Sequence, residues 1–207
     1  MRLIVGCCCL SVLLCQIGHA STSKKIDSSL TVLLDFQDRH AAVPLKPLER
    51  ELQGMFSDAH IHVNLKLKNT VRDYTEFKEL VVFKLKGHCT LDNLPIGAIS
   101  DERGPLAMTY SVDGEILPFG EVECDRLQRT MQGNPHATGL FRQSAFNTAL
   151  ARVMAHEIYH MLACSNVHTK SGVTKESLST HELSSGALSF PPEVKRQLLI
   201  KENGPNR

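Results

Sequence analysis

The sequence predicts an α+β fold: a mixed, mostly contiguous sheet with one long helix packed on it and a short C-terminal helical segment. Two observations carry this reading. Alternating apolar and polar runs crowd the part of the chain before Cys124, and one long stretch of helical periodicity follows it. The Gly/Pro/Asn-rich run QGNPHATG between them reads as the connecting loop.

The elements follow in order. SLTVLLDF (29–36) is β-branched and alternating, so it reads as a strand. PLERELQGMF (47–56) starts with proline and repeats Leu48, Leu52 and Met55 at helical spacing. HIHVNLKLK (60–68) alternates strictly. Ile61, Val63, Leu65 and Leu67 face one side, and His60, His62, Asn64, Lys66 and Lys68 face the other. ELVVFKLKG (79–87) is a further strand. The stretch 106–124 carries Asp113-Gly114 between two strand-like arms, a dipeptide that accepts the positive φ angles of a type I′ hairpin turn. Pro118 lies in the second arm and cannot donate to a ladder, so an edge or a bulge is expected there. Residues 140–163 form the long helix. Phe146, Leu150, Val153, Met154 and Met161 cover one broad face, Glu157 falls within it, and His156 and His160 lie at its margin. Thr148, Arg152 and Tyr159 cluster on the opposite side, Tyr159 with a structural role. A polar run (165–186), a short helix (191–201) and a loose tail complete the chain.

Composition excludes several classes. Lys+Arg 23 against Asp+Glu 22 gives no basic surface for nucleic acid or acidic lipid. There is no Trp, with 3 Tyr and 8 Phe, so no aromatic platform for stacking bases is evident. The first 20 residues read as a signal peptide: Met1-Arg2, an apolar run too short to span a bilayer, then small residues suited to cleavage after Ala20. LIVGC resembles a lipoprotein cleavage box, but little hydrophobic chain precedes Cys7, which leaves lipidation as the lesser alternative. The expected mature chain is one domain, 21–207, secreted or periplasmic, monomeric, with no membrane attachment. Removing the signal leaves Cys89, Cys124 and Cys164. In an oxidising compartment this suggests one disulfide. Cys89 with Cys124 is the expected pair, because each closes a strand-like run whose ends could lie side by side. Cys124 with Cys164 stays open as an alternative. Cys164 is read as a small buried residue at the helix end.

The chemistry concentrates in His156-Glu157-x-x-His160 on the long helix. Positions four apart lie ~40° apart around a helix and ~6 Å along it. Two such imidazoles can tilt toward one ion. Glu157 is offset ~100° from His156, so it can reach a water beside the ion without binding the ion itself. Its role would be general base. From the chain's own His and Glu content, chance would supply this pattern about three times in a hundred such sequences.

A catalytic zinc needs a third protein ligand. Cys164 continues the spacing but sits ~12 Å along the axis from His156, too far for one ion. The chain must therefore turn back. His168 is the first suitable residue after ACSNVH, which leaves room for a helix end and a reversal. Glu176, His181 and Glu182 stay open as later candidates, His181 also as an oxyanion stabiliser. His60 and His62 share a strand face and read more simply as polar positions facing water.

The His156, Glu157, His160 motif and the order of elements before it resemble the zincin metallopeptidases, and more loosely the upper subdomain of the metzincin clan. The clan's longer pattern is H-E-x-x-H-x-x-G-x-x-H. Here Ala163 stands at its glycine, Asn166 at its third histidine, and His168 comes two residues late. No methionine follows Met161 to make the clan's methionine turn. The chain is also similar to secreted bacterial HExxH proteins. The resemblance implies a zincin-like sheet, Zn2+ as cofactor and a secreted metallopeptidase that hydrolyses peptide bonds with a zinc-activated water. His156, His160 and His168 would hold the metal and Glu157 would be catalytic. It also implies a peptide or protein substrate lying between the helix and an edge strand, supplied by residues 106–112 or 116–120. A non-catalytic zinc domain binding a protein partner, and a zinc amidase acting on cell-wall material, are the alternative readings.

Overall fold

The computed structural model describes residues 28–37, 44–73, 75–89, 104–132 and 140–203. The proposed signal peptide, most of the QGNPHATG loop and the end of the tail lie outside these residues.

The first half of the chain builds a five-stranded sheet in the order β2-β1-β3-β5-β4. Its members are β1 (Ser28–Phe36), β2 (Ile61–Leu67), β3 (Glu79–Lys86), β4 (Ala107–Val112) and β5 (Glu115–Glu123). β1 pairs in parallel with β2 and β3, β3 pairs in parallel with β5, and β4 returns antiparallel along β5 as the outermost strand. The sheet is therefore mixed, as expected. Helix α1 (Leu45–Phe56) makes the crossover from β1 to β2. The parallel pair needs such a crossover, since two parallel strands cannot be joined by a tight turn.

Alternation decides the faces. Leu30, Val32, Leu34, Ile61, Val63, Val81, Phe83, Leu85 and Val122 are buried on one side of the sheet. They pack in one core with Leu48, Leu52, Met55 and Phe56 of α1 and with the long helix α3 (Leu140–Ala163). The outer edge of β2 is closed by α1. The Gln53 side-chain amide donates to Ile61 O (3.1 Å) and accepts from Val63 N–H (2.8 Å), while Glu49 accepts from Leu65 N–H (3.0 Å). These contacts satisfy edge groups that would otherwise recruit another strand.

The hairpin turn falls at Asp113 (φ 53°) and Gly114 (φ 84°), both left-handed as a type I′ turn requires. The β4–β5 register slips between Thr109 and Ser111, opposite the segment containing Pro118. The missing N–H of proline is thus placed at an irregularity. Lys86 and Glu123 are register partners at the ends of β3 and β5, and the chain beyond each brings Cys89 and Cys124 together in a buried disulfide.

Two helices were not expected from the sequence. α2 (Cys124–Gln132) follows β5 directly, and α4 (Thr180–Ser184) interrupts the polar run. The last helix, α5, covers Pro192–Asn203. No helix among the described residues is long and apolar enough to cross a membrane.

Candidate metal centre

Helix α3 is buried on nearly all sides along its second half, including Ala155, Ile158, Tyr159, Met161 and Leu162. The side expected to lie opposite the sheet is covered as well. Arg152 is only 3% exposed. Its guanidinium donates to Glu182 O (2.6 Å), Ser185 O (2.9 Å) and Gly186 O (2.6 Å), carbonyls at the C-terminal end of α4. Glu51 of α1 lies 3.6 Å away and supplies the opposite charge. Arg152 thus ties the segment after α3 back onto the helix, which leaves the two histidines between the sheet and that segment.

The helix ends at Cys164, whose φ is 48°. This left-handed residue reverses the chain, and Ser165 N–H donates back to His160 O at 3.3 Å. Cys164 is exposed and outside the disulfide, not buried as expected. Its neighbours hold the reversed segment. Ser165 O accepts from His160 Nδ1 at 2.6 Å, and the Tyr159 hydroxyl donates to Val167 O at 3.0 Å. Tyr159 does not point away from the site. Its ring centroid is 5.1 Å from that of His160, and its hydroxyl anchors the residue before His168.

The reversal brings a third imidazole over the first two. The His168 ring centroid is 5.1 Å from that of His156 and 4.9 Å from that of His160, and His156 and His160 are 4.7 Å apart. One nitrogen from each ring lies within 4.8 Å of the others. Tetrahedral zinc with bonds of about 2.0–2.1 Å needs nitrogens about 3.3 Å apart, so small side-chain rotations suffice. Among the described residues this is the group of His, Cys, Asp and Glu side chains that could share one ion.

Beyond His168 the chain makes a narrow loop. Thr169 bridges to Lys175, Thr169 N–H donates to Thr174 O (3.0 Å), and the two threonine hydroxyls lie 2.7 Å apart. Gly172 turns it at φ 76°, and a Cβ there would lie 2.6 Å from Ser189 O. The loop is pinned from behind by Val173 N–H donating to Ser189 O (3.1 Å), and it presents Val173 O to His156 Nδ1 at 2.9 Å.

These two carbonyl contacts fix the tautomers. A carbonyl only accepts, so His156 Nδ1 and His160 Nδ1 each carry the proton. Burial lowers the pKa of both rings, with the carbonyl contacts acting in the opposite direction. The lowered values favour the neutral rings, in which each Nε2 is a bare lone pair. Those two atoms face each other at 3.0 Å. Two lone pairs so placed can share one cation, a proton or a metal ion. The donor set fits a metal, and each carbonyl orients its ligand ring from behind, as outer hydrogen-bond partners do in metal sites.

Glu157, 7% exposed, lies on the same helix facing β4. Burial raises its pKa, while the Thr109 hydroxyl and the nearby His160 and His168 oppose the rise. Thr109 donates to Glu157 Oε2 at 2.7 Å. The other candidate ligands are elsewhere engaged or exposed. Glu182 closes a capping box with Ser179 at the start of α4 and pairs with Lys175, which holds its carboxyl down to about 2. Glu176 and His181 are exposed, and neither belongs to the three-histidine group. His62 is exposed on β2. Sequence reasoning missed Thr109 and the carbonyls of Ser165 and Val173. The carbonyls leave no side-chain signature, and Thr109 announces only its strand parity.

No family model matches the chain, and no curated protein matches it. Among solved structures it is similar to an archaemetzincin from Methanopyrus kandleri, with a TM-score of 0.51 and 10% sequence identity over 88% of this chain and 99% of that one. The fold is zincin-like. On that fold the histidine cluster sits at the end of the long helix, beside the antiparallel edge strand.

Proposed function

We propose that the protein is a secreted, zinc-dependent metallopeptidase. One observation carries the reading: a half-buried and a buried imidazole turn their Nε2 atoms toward each other at 3.0 Å, with an exposed third imidazole beside them and a buried glutamate on the same helix. His156, His160 and His168 would hold the ion. Zinc bound there would supply Lewis acidity, polarising the scissile carbonyl and acidifying water. Glu157 accepts the proton of the attacking water on its carboxylate and passes it to the leaving amine nitrogen as the C–N bond breaks. Its buried position, with the Thr109 hydroxyl on Oε2, holds the carboxylate ready for both halves of that task. The substrate would be an extended peptide. Among the described residues β4 is the outermost strand and β5 lies inside the sheet, so Ala107–Val112 is the edge to which such a chain would add. Secretion rests on the leader at residues 1–20, and the Cys89–Cys124 disulfide fits an oxidising compartment.

The test is hydrolysis of dye-labelled casein by the zinc-loaded protein and by Glu157→Gln. The variant should keep its zinc and lose about 10²–10⁴ of the rate. A wild type that holds zinc, cleaves peptidoglycan and spares casein would mean an amidase. One that holds zinc and cleaves neither would mean a non-catalytic domain.

A further inference from the structure

A general base works only if its carboxylate is held within a few tenths of an ångström of the water it serves. Glutamate has three rotatable side-chain bonds, so something must fix Glu157. The group that meets it comes from the sheet and not from its own helix. Thr109 Oγ1, on β4, lies 2.7 Å from Glu157 Oε2 and 3.3 Å from Glu157 O. The hydroxyl has one proton and donates it to the nearer carboxylate oxygen. Oε1 is then the oxygen that would serve the water. Threonine is β-branched and stiff at χ1, so the strand backbone sets where that proton points.

The approach of helix to strand has its own cause. Thr109 is paired with Gly120 across β4–β5. A Cβ at Gly120 would lie 2.8 Å from Met161 Cε and 2.9 Å from Phe83 Cε1. Its absence lets α3 settle against the sheet at the register position where Thr109 stands. A larger residue at Gly120 would have to displace the Met161 methyl and the Phe83 ring and would crowd Met108 O.

We propose that Thr109 is the positioning residue for Glu157, linking the base to the strand along which substrate would lie. The inference rests on the peptidase reading and adds a residue that the HExxH pattern does not contain. Its test uses Thr109→Val, which keeps the branched shape and removes the hydroxyl, and Thr109→Ser, which restores it. Zinc content and melting temperature should match wild type in both. On casein peptides Thr109→Val should lower kcat about tenfold or more with KM unchanged, and Thr109→Ser should recover most of the loss. A second readout needs no turnover. Acetohydroxamic acid chelates zinc and offers a proton to a neighbouring carboxylate. Its Kd for the zinc-loaded protein should weaken about tenfold in Thr109→Val, and by less than about twofold when the same change is made in Glu157→Ala. An unchanged kcat and Kd in Thr109→Val, an equal loss in the Glu157→Ala background, or failure of serine to rescue would overturn the proposal. If wild type binds zinc and hydroxamate but cleaves no peptide, the peptidase reading falls while the double-mutant cycle still decides whether Thr109 sets Glu157. A protein that takes up no zinc ends both.

Discussion

His156 and His160 each commit one ring nitrogen to a main-chain carbonyl and leave the other for an ion. Burial favours the neutral form of both rings and sets their folded pKa values below the ordinary value of about 6.5. The sign of the pH dependence follows. In the metal-free protein the unfolded chain takes protons at these rings more readily than the folded one. The stability tied to their neutrality is therefore present above about pH 6.5 and is lost as pH falls through the lowered folded values. Zinc competes for the same lone pairs, so its affinity should stay level while the rings are neutral and fall as acidification passes through the lowered folded values. Calorimetric zinc titrations between pH 5 and 8 check this, and an affinity that rose toward pH 5 would contradict the assignment. The HExxH core was legible in the sequence because its three side chains share one helix, where spacing alone fixes relative placement. His168 was legible as the first histidine reachable after a reversal. Thr109 was not, because its meeting with Glu157 depends on a sheet register and a helix approach that no local pattern encodes.

At the scale of elements, the end of α3 is the feature that departs most from the metzincin pattern. The turn is made by Cys164 in the left-handed region, one residue after the Ala163 that stands where the pattern has glycine. With the reversal one residue late, the ring that meets His156 and His160 belongs to His168 and not to position 166. A left-handed conformation costs a non-glycine residue roughly 1 kcal/mol. Cys164→Gly should therefore raise the stability of the metal-free protein by up to about 1 kcal/mol in urea unfolding, with zinc content unchanged. A loss of stability would show that the cysteine side chain contributes more than the strain removes. The strands and the long helix were readable from period-2 and period-3.6 patterns, while α2 and α4 were missed for lack of length. α2 has nine residues with Leu127 and Met131 as its buried apolar pair beside Cys124. α4 has five residues, although its capping box, Ser179 three before Glu182, was a signal in plain view.

At the scale of the whole molecule, the sheet is closed at its β2 edge and tied between β3 and β5. Gln53 and Glu49 close the β2 edge, and the Cys89–Cys124 bridge ties the ends of β3 and β5, while among the described residues no strand pairs with the outer side of β4. Alternation revealed which residues face the core but not which strands are neighbours, so the β2-β1-β3-β5-β4 order was beyond sequence reading. The bridge closes a sequence separation of 35 residues. Loop-closure entropy puts its worth at about 3–4 kcal/mol, and a Cys89→Ala, Cys124→Ala double variant should lose about that much in urea unfolding. Unaltered stability would mean that the paired strands hold without it. The central claim is that three histidines from α3 and the reversed chain hold one zinc ion. The most direct test is zinc per chain in protein purified without added metal, compared among wild type, His168→Ala and Glu176→Ala. About one equivalent in wild type and in Glu176→Ala, with marked loss in His168→Ala, is the expected result. No zinc in wild type after reconstitution at neutral pH, or full retention in His168→Ala, would contradict the account.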